Sequence, residues 1–263
     1  YYMTLLNPDE SVAQNIDRLI FKRNGELKNE FDNLYAALFR NSESYIKVAS
    51  ILNSKRSGLT RNEIKEEAKL PSGGTLTKIL KNMESCGFIR KFNCLSLGKT
   101  QTLYQLVDFF SLFYFRFIQH ETGNKTNYWS AIQGTQKFYA WAGLAFENVA
   151  LYHISQIKQA LGISGIDSEE YTWRKDSNET DGAQIDLLID RKDNTINLCE
   201  MKFCESVYEL KADEEMKLRN RISALRSSLK KKTKSIQLTM ITSFGVAKGK
   251  HSGIVQSQVT LDD

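Results

Sequence analysis

Apolar positions along the chain set out most of its elements. Over residues 1–40 they recur at helical spacing. Asn7-Pro8-Asp9-Glu10-Ser11 is a turn that leads into a helix carrying Val12, Ile16, Leu19 and Ile20. After a break over residues 21–27, Phe31, Leu34, Tyr35, Leu38 and Phe39 mark a second helical face. Residues 45–106 then spell three helices and a hairpin. Ile46, Val48, Ala49, Ile51 and Leu52 belong to the first. Thr60-Arg61-Asn62-Glu63 has the spacing of a capping box, in which a hydroxyl and a carboxylate satisfy each other's backbone N–H groups. It opens the second helix, with Ile64 and Ala68 inward, and Leu70-Pro71-Ser72-Gly73-Gly74 makes a turn. Leu76, Ile79, Leu80 and Met83 face inward from the third, at about 75–85, and Cys86-Gly87 stops it, because glycine suits the left-handed terminal position. Residues 88–92 and 103–106 form two strands around a polar loop. An aromatic helix over residues 109–118, a loop at 124–127 and a long amphipathic helix from Gly143 follow, with Tyr128-Trp129 expected in the core at a domain junction.

The rhythm changes near residue 173. Trp173-Arg174-Lys175 is a strand leading into a hairpin. Ile185, Leu187 and Ile189 alternate with Gln184, Asp186 and Asp190, and Arg191-Lys192-Asp193-Asn194 supplies a polar turn. The next strand puts Ile196, Leu198, Glu200 and Lys202 on one face and Cys199, Met201 and Phe203 on the other. Residues 208–229 are a helix with Leu218, Ile222, Leu225 and Leu229 inward, 236–242 an apolar strand and 254–259 a final strand. The expected fold class is α/β with several domains: a helical connector at 1–44, a helix-helix-helix-hairpin unit at 45–106, an aromatic helical linker at 107–139, and a mixed sheet flanked by helices at 140–263.

Composition narrows the setting. A chain of 263 residues with 41% hydrophobic and 25% charged residues has the balance of a soluble globular protein. Its net charge of +5 is modest, so any case for nucleic acid rests on where the basic residues lie. The four cysteines, Cys86, Cys94, Cys199 and Cys204, form no zinc spacing, which predicts a reducing, cytoplasmic setting. No signal peptide is visible, and the most apolar run, 107–118, is too short for a bilayer and contains Asp108 and Arg116. The abrupt start at Tyr1-Tyr2-Met3 and end at Leu261-Asp262-Asp263 give the chain the look of a piece of a longer protein.

The chemistry concentrates on the hairpin. Glu200 and Lys202 project together from the end of an apolar strand, where charges are costly unless paired or used. Asp186, fourteen residues earlier, can reach the same spot across the hairpin. Two carboxylates suit Mg²⁺ or Mn²⁺, and a neighbouring lysine can hold an attacking water or steady phosphate charge. The bland alternative is a strand-end ion pair. Glu147 lies with Leu144 and Leu151 on or beside one helix face, where a solvated or capping role is the plain reading. Lys211, Lys217, Arg219, Arg221 and Arg226 form a basic helix side, continued by Lys230, Lys231 and Lys232, which is either solvated or a phosphate track. Gly98-Lys99-Thr100 mimics the end of a P-loop, but position 93 is asparagine and a strand follows, so it is rejected.

Two resemblances follow from these residues. Residues 45–106 have the outline of a winged helix, whose recognition helix would offer Thr75, Thr77, Lys78, Lys81 and Asn82, with Arg90, Lys91 and Lys99 on or near the wing. Such units also serve as protein-protein modules. Asp186, the hairpin and Glu200-Met201-Lys202 resemble the PD-(D/E)XK nuclease superfamily, with Ile185 where that family often has proline. The wider set resembles the C-terminal region of a bacterial and archaeal AAA+ ATPase family. The stretches that carry it are Tyr1–Leu6 with residues 31–34, Gly143-Leu-Ala-Phe-Glu147, Gln184-Ile-Asp186, Glu200-Met-Lys202, Leu218-Arg-Asn-Arg-Ile222 and Met240-Ile-Thr-Ser-Phe-Gly245. The resemblance implies a nuclease-like domain in which Asp186 and Glu200 bind Mg²⁺ or Mn²⁺ loosely, Glu147 assists, and Lys202 positions water for phosphodiester hydrolysis. It implies DNA as partner, contacted by Lys78, Lys81, Arg90, Lys91 and Lys230–Lys232, and an ATPase domain of the same protein, outside these residues, as the place of ATP. It leaves room for a homo-oligomer and for a catalytically inactive binding module of an ATP-driven switch.

Overall fold

The structure, a computed structural model, describes residues 1–69, 73–96, 99–121, 127–174, 184–229 and 233–263, apart from the side chains of residues 73, 96 and 99. Contacts divide the chain into two units, residues 1–91 with 103–139, and residues 92–102 with 140–263.

The first unit is helical. A 3₁₀ turn, Tyr2–Leu5, precedes α1 (Val12–Ile16), which runs on as a π-helical turn, Asp17–Phe21. Then come α2 (Glu30–Leu38), α3 (Ser42–Ser54), α4 (Arg61–Ala68), α5 (Gly73–Ser85), α6 (Phe109–Phe113) with a second π-helical turn at Tyr114–Ile118, and α7 (Tyr128–Ile132). Local chemistry starts and stops these helices. Thr60 and Glu63 close the expected capping box at α4, and Gly87, at φ 76°, takes the left-handed position after α5. The inward faces are those expected in α4 and α5, with Ile64, Ala68, Leu76, Ile79, Leu80 and Met83 all buried. In α2 the pattern slips: Leu38 is 49% exposed, because the helix ends there and Phe39, extended at the C-cap, turns inward instead. Aromatic packing dominates this core. Phe31 stacks on Tyr114 at 3.7 Å, Phe39 on Tyr45 at 3.9 Å, and Trp129 meets Phe113 and Phe117 edge-on at 5.0 Å each. Asp17 is buried and accepts hydrogen bonds from Trp129 N at 2.6 Å, Ser130 N at 2.9 Å and Ser130 Oγ at 2.6 Å, so it satisfies the exposed N–H groups of α7's first turn.

The second unit is built on one mixed sheet of seven strands in the order β2-β1-β3-β4-β5-β6-β7. The strands are β1 (Ile89–Ser96), β2 (Lys99–Leu106), β3 (Ser168–Arg174), β4 (Gln184–Arg191), β5 (Thr195–Lys202), β6 (Ser235–Thr242) and β7 (Ser257–Val259). The first two cross the boundary between units. β3, β4 and β5 run antiparallel, while β1 pairs with β3, β6 with β5 and β7 with β6 in parallel. Two parallel neighbours need a crossover, and α10 (Ala212–Ser228) supplies it between β5 and β6. Just before β3 stand α8 (Gln136–Tyr152) and α9 (Ile154–Ala160).

The sheet has two apolar faces. Phe146, Ala150 and Ile157, from α8 and α9, pack with Leu187, Ile189, Cys199, Met201 and Ile241. Leu218 and Leu225 of α10 pack with Trp173, Leu188, Ile196, Leu198, Leu238 and Met240. Each fully buried leucine here contributes roughly 1.5–3 kcal/mol. Along β5 the expected alternation holds, with Ile196 and Leu198 facing α10 and Cys199 and Met201 facing α8. β4 departs from it. The register shifts between Tyr171 and Trp173 of β3, and Ile185 joins Leu188 on the α10 face instead of sharing a face with Leu187 and Ile189. A bulge of this kind inserts one extra residue and reverses the side-chain parity beyond it. At the β4–β5 turn Asn194 adopts φ 65°, a conformation asparagine tolerates. The last strand is shorter than expected, since residues 252–254 form a 3₁₀ turn.

Candidate functional site at the end of β5

Strand alternation places the site. Ile196 and Leu198 fill the core under α10, and the next two residues on that face are Glu200 and Lys202. The apolar face therefore ends in a carboxylate and an ammonium. In the parallel neighbour, Met240 stands beside Glu200 and Thr242 beside Lys202. On α10, Leu218 is buried in the same core, and Arg221, three residues on, lies on the adjoining helix surface. Arg221 Nη1 donates to Glu200 Oε2 at 2.5 Å, and Lys202 Nζ sits 3.1 Å from Glu200 Oε1. The Glu200 side chain is only 11% exposed, against 39% for Lys202 and 31% for Arg221.

A cavity of about 190 Å³ opens beside this triad, lined by Glu200, Lys202, Tyr208, Glu214, Lys217, Leu218, Arg221 and Met240. Tyr208 is fixed by backbone bonds to Gly245 and Ala247 at 2.8 Å each, and its hydroxyl donates to Glu214 Oε1 at 2.5 Å. Burial first, and then the Glu214 hydrogen bond, push the Tyr208 phenol well above its ordinary value, so it stays a donor at neutral pH. Lys217 pairs with Asp213 at 3.4 Å on the exposed side of α10.

Glu200 and Lys202 are thus brought together as the sequence suggests. Asp186 and Glu147 are not among the residues around this cavity. Asp186 is half-buried, at the bulged stretch of β4, and accepts from Gln184 Nε2 at 2.7 Å. The β4–β5 ladder ends at the pair Leu187–Cys199, and Asp186 lies just beyond it, in the irregular stretch between Ile185 and Leu188. Glu147 is half-buried on α8, whose apolar residues cover the sheet face opposite Glu200. Among the described residues no three His, Cys, Asp or Glu side chains gather where they could hold a metal ion. Both oxygens of Glu200 face side-chain cations, Lys202 at Oε1 and Arg221 at Oε2.

Of the basic residues expected to meet nucleic acid, Lys78 and Lys81 are exposed on α5 and Lys91 is exposed on β1. Arg90 is half-buried and donates from Nε to Gln105 Oε1 at 2.7 Å, while Gln105 Nε2 donates to Arg56 O at 2.6 Å, which ties it across the hairpin. Asn82, expected to face outward, donates to the Tyr45 hydroxyl at 2.8 Å. Lys230, Lys231 and Lys232 lie outside the described residues. The expected basic side of α10 is partly neutralised by its own first turn, since Lys217 pairs with Asp213 and Arg219 with Glu215. Sequence reasoning missed the clamp of Arg221 on Glu200 and the Tyr208–Glu214 pair. Arg221 did stand out as a basic residue of the helix that follows the hairpin, but nothing in the spacing assigned it a partner. Among the described residues no helix is long and apolar enough to cross a membrane. No family model, no curated protein and no solved structure matches the chain.

Proposed function

We propose that the chain is the nucleic-acid-directed part of an ATPase-family protein, in which a winged helix precedes a PD-(D/E)XK-like domain that holds DNA without cutting it. The observation that carries this reading is the pairing of Glu200 with both Lys202 and Arg221 beside an open cavity. A carboxylate so engaged orders the two basic groups beside the cavity. The order α8, antiparallel β3-β4-β5, crossover α10 and parallel β6 supports the nuclease-like part. The three helices α3, α4 and α5 followed by the β1–β2 hairpin support the winged helix. In this reading ATP hydrolysis lies outside these residues, and the setting is cytoplasmic.

A second reading, metal-dependent phosphodiester hydrolysis at Asp186, Glu200 and Lys202 with Glu147 assisting, is favoured by the place of Asp186 just beyond Leu187–Cys199, the last pair of the β4–β5 ladder. It requires a metal ion to share the Glu200 carboxylate with Lys202 and Arg221. Both readings are tested on plasmid, single-stranded and branched DNA with Mg²⁺, Mn²⁺ or chelator. The expected result is binding in chelator that falls steeply with salt, and no incision. Metal-dependent incision that disappears in Asp186→Ala would replace the first reading with the second.

A further inference from the structure

We infer that the cavity beside α10 is a phosphate-binding site that Glu200 occupies as an internal counter-ion. This rests on the reading of the second unit as directed to nucleic acid and names the atoms that would take the phosphate. Arg221 has five N–H donors and Lys202 three. Among the described residues each engages only Glu200. Their spare donors adjoin a cavity of about 190 Å³, several times the roughly 30 Å³ that a water molecule takes in the liquid. Lys217 lines the same cavity and makes an exposed pair with Asp213.

A guanidinium fork recognises carboxylate and phosphate oxygens by the same geometry. A phosphodiester entering the cavity therefore competes with the Glu200 carboxylate for Arg221 and Lys202. The cavity wall carries three basic and two acidic side chains. One of the acids, Glu214, is bound to Tyr208, which leaves Glu200 as the acid set directly against the cations. Glu200 also keeps the two cations together when no ligand is bound. It thus orders the site and weakens it at once, and its removal has an effect opposite to that of removing a metal ligand: binding tightens.

The test uses the full chain in chelator, with inorganic phosphate followed by calorimetry and a labelled DNA duplex followed by anisotropy. Glu200→Gln keeps the side-chain shape and removes the charge. It is expected to bind both probes about tenfold more tightly and to steepen the salt dependence by about one phosphate contact. Adding Arg221→Gln to it should abolish the gain. Arg221→Lys alone keeps the charge but loses the fork, and should weaken phosphate binding. It decides the matter if Glu200→Gln fails to fold in a thermal melt, since unchanged phosphate affinity in Arg221→Lys would overturn the inference. Equal or weaker binding by folded Glu200→Gln would overturn it as well. Duplex binding that none of these variants alters would leave the nucleic-acid reading standing and remove the pocket. Phosphate binding tightened by Glu200→Gln, with no duplex binding at any salt, would keep the pocket and remove the nucleic-acid reading.

Discussion

The start of α7 in the first unit and the end of β5 in the second each contain a carboxylate withdrawn from water, and they hold it in opposite ways. Asp17, 2% exposed, accepts from two backbone N–H groups and one hydroxyl of a single helical turn. The two N–H groups are fixed by the helix itself, which offers them no acceptor of its own. Glu200, with a side chain 11% exposed, is held by two long cationic side chains that are themselves about one-third exposed. Fixed backbone donors make a carboxylate structural. Charged side chains beside a cavity make it exchangeable, since each can follow another anion or turn to water.

Stability measurements can break this contrast. The largest effect is expected for Asp17→Ala, which strands two N–H groups and a hydroxyl in the core and should lower unfolding free energy by about 3 kcal/mol. Chemical denaturation measures it, and a loss under about 1 kcal/mol would mean that water replaces the carboxylate and that the cap is not structural. A middle effect is expected at the surface cap of α4, where Thr60→Ala should cost about 1 kcal/mol. There Glu63 accepts from Thr60 N at 2.7 Å and Thr60 Oγ1 at 2.8 Å, and Lys55 Nζ lies 3.1 Å away. Partial burial raises the Glu63 carboxyl, but these hydrogen bonds outweigh it and hold the group below its ordinary 4.5. A lowered carboxyl contributes stability above the ordinary value and loses it as pH falls through the lower, folded one. The advantage of the wild type over Glu63→Gln should therefore be present at neutral pH and shrink as pH falls below the ordinary carboxyl value, as thermal melts across the acid range would show. The smallest effect is expected for Glu200→Gln, under about 1 kcal/mol, because Lys202 and Arg221 can turn toward solvent. A loss as large as that of Asp17→Ala would make Glu200 structural and erase the contrast.

The same three carboxylates separate what the sequence by itself determined from what the tertiary structure decided. The Glu63 cap was legible, because its partner Thr60 is three residues away and helix geometry alone brings them together. The left-handed Gly87 and the shared face of Glu200 and Lys202 were legible for the same reason, each set by the local repeat of its element. The face of Ile185 was not, because the period-two reading assumes an unbroken pleat and β4 slips against β3. Asp17 gave no local sign of its role, since its donors lie more than a hundred residues along the chain. Glu200 stood out as a charge at the end of an apolar strand, but what it touches was set by the docking of α10 on the sheet, which brings Arg221 to its second oxygen. Periodicity fixes the direction of a side chain relative to its own element, and only packing between elements chooses the atom it meets.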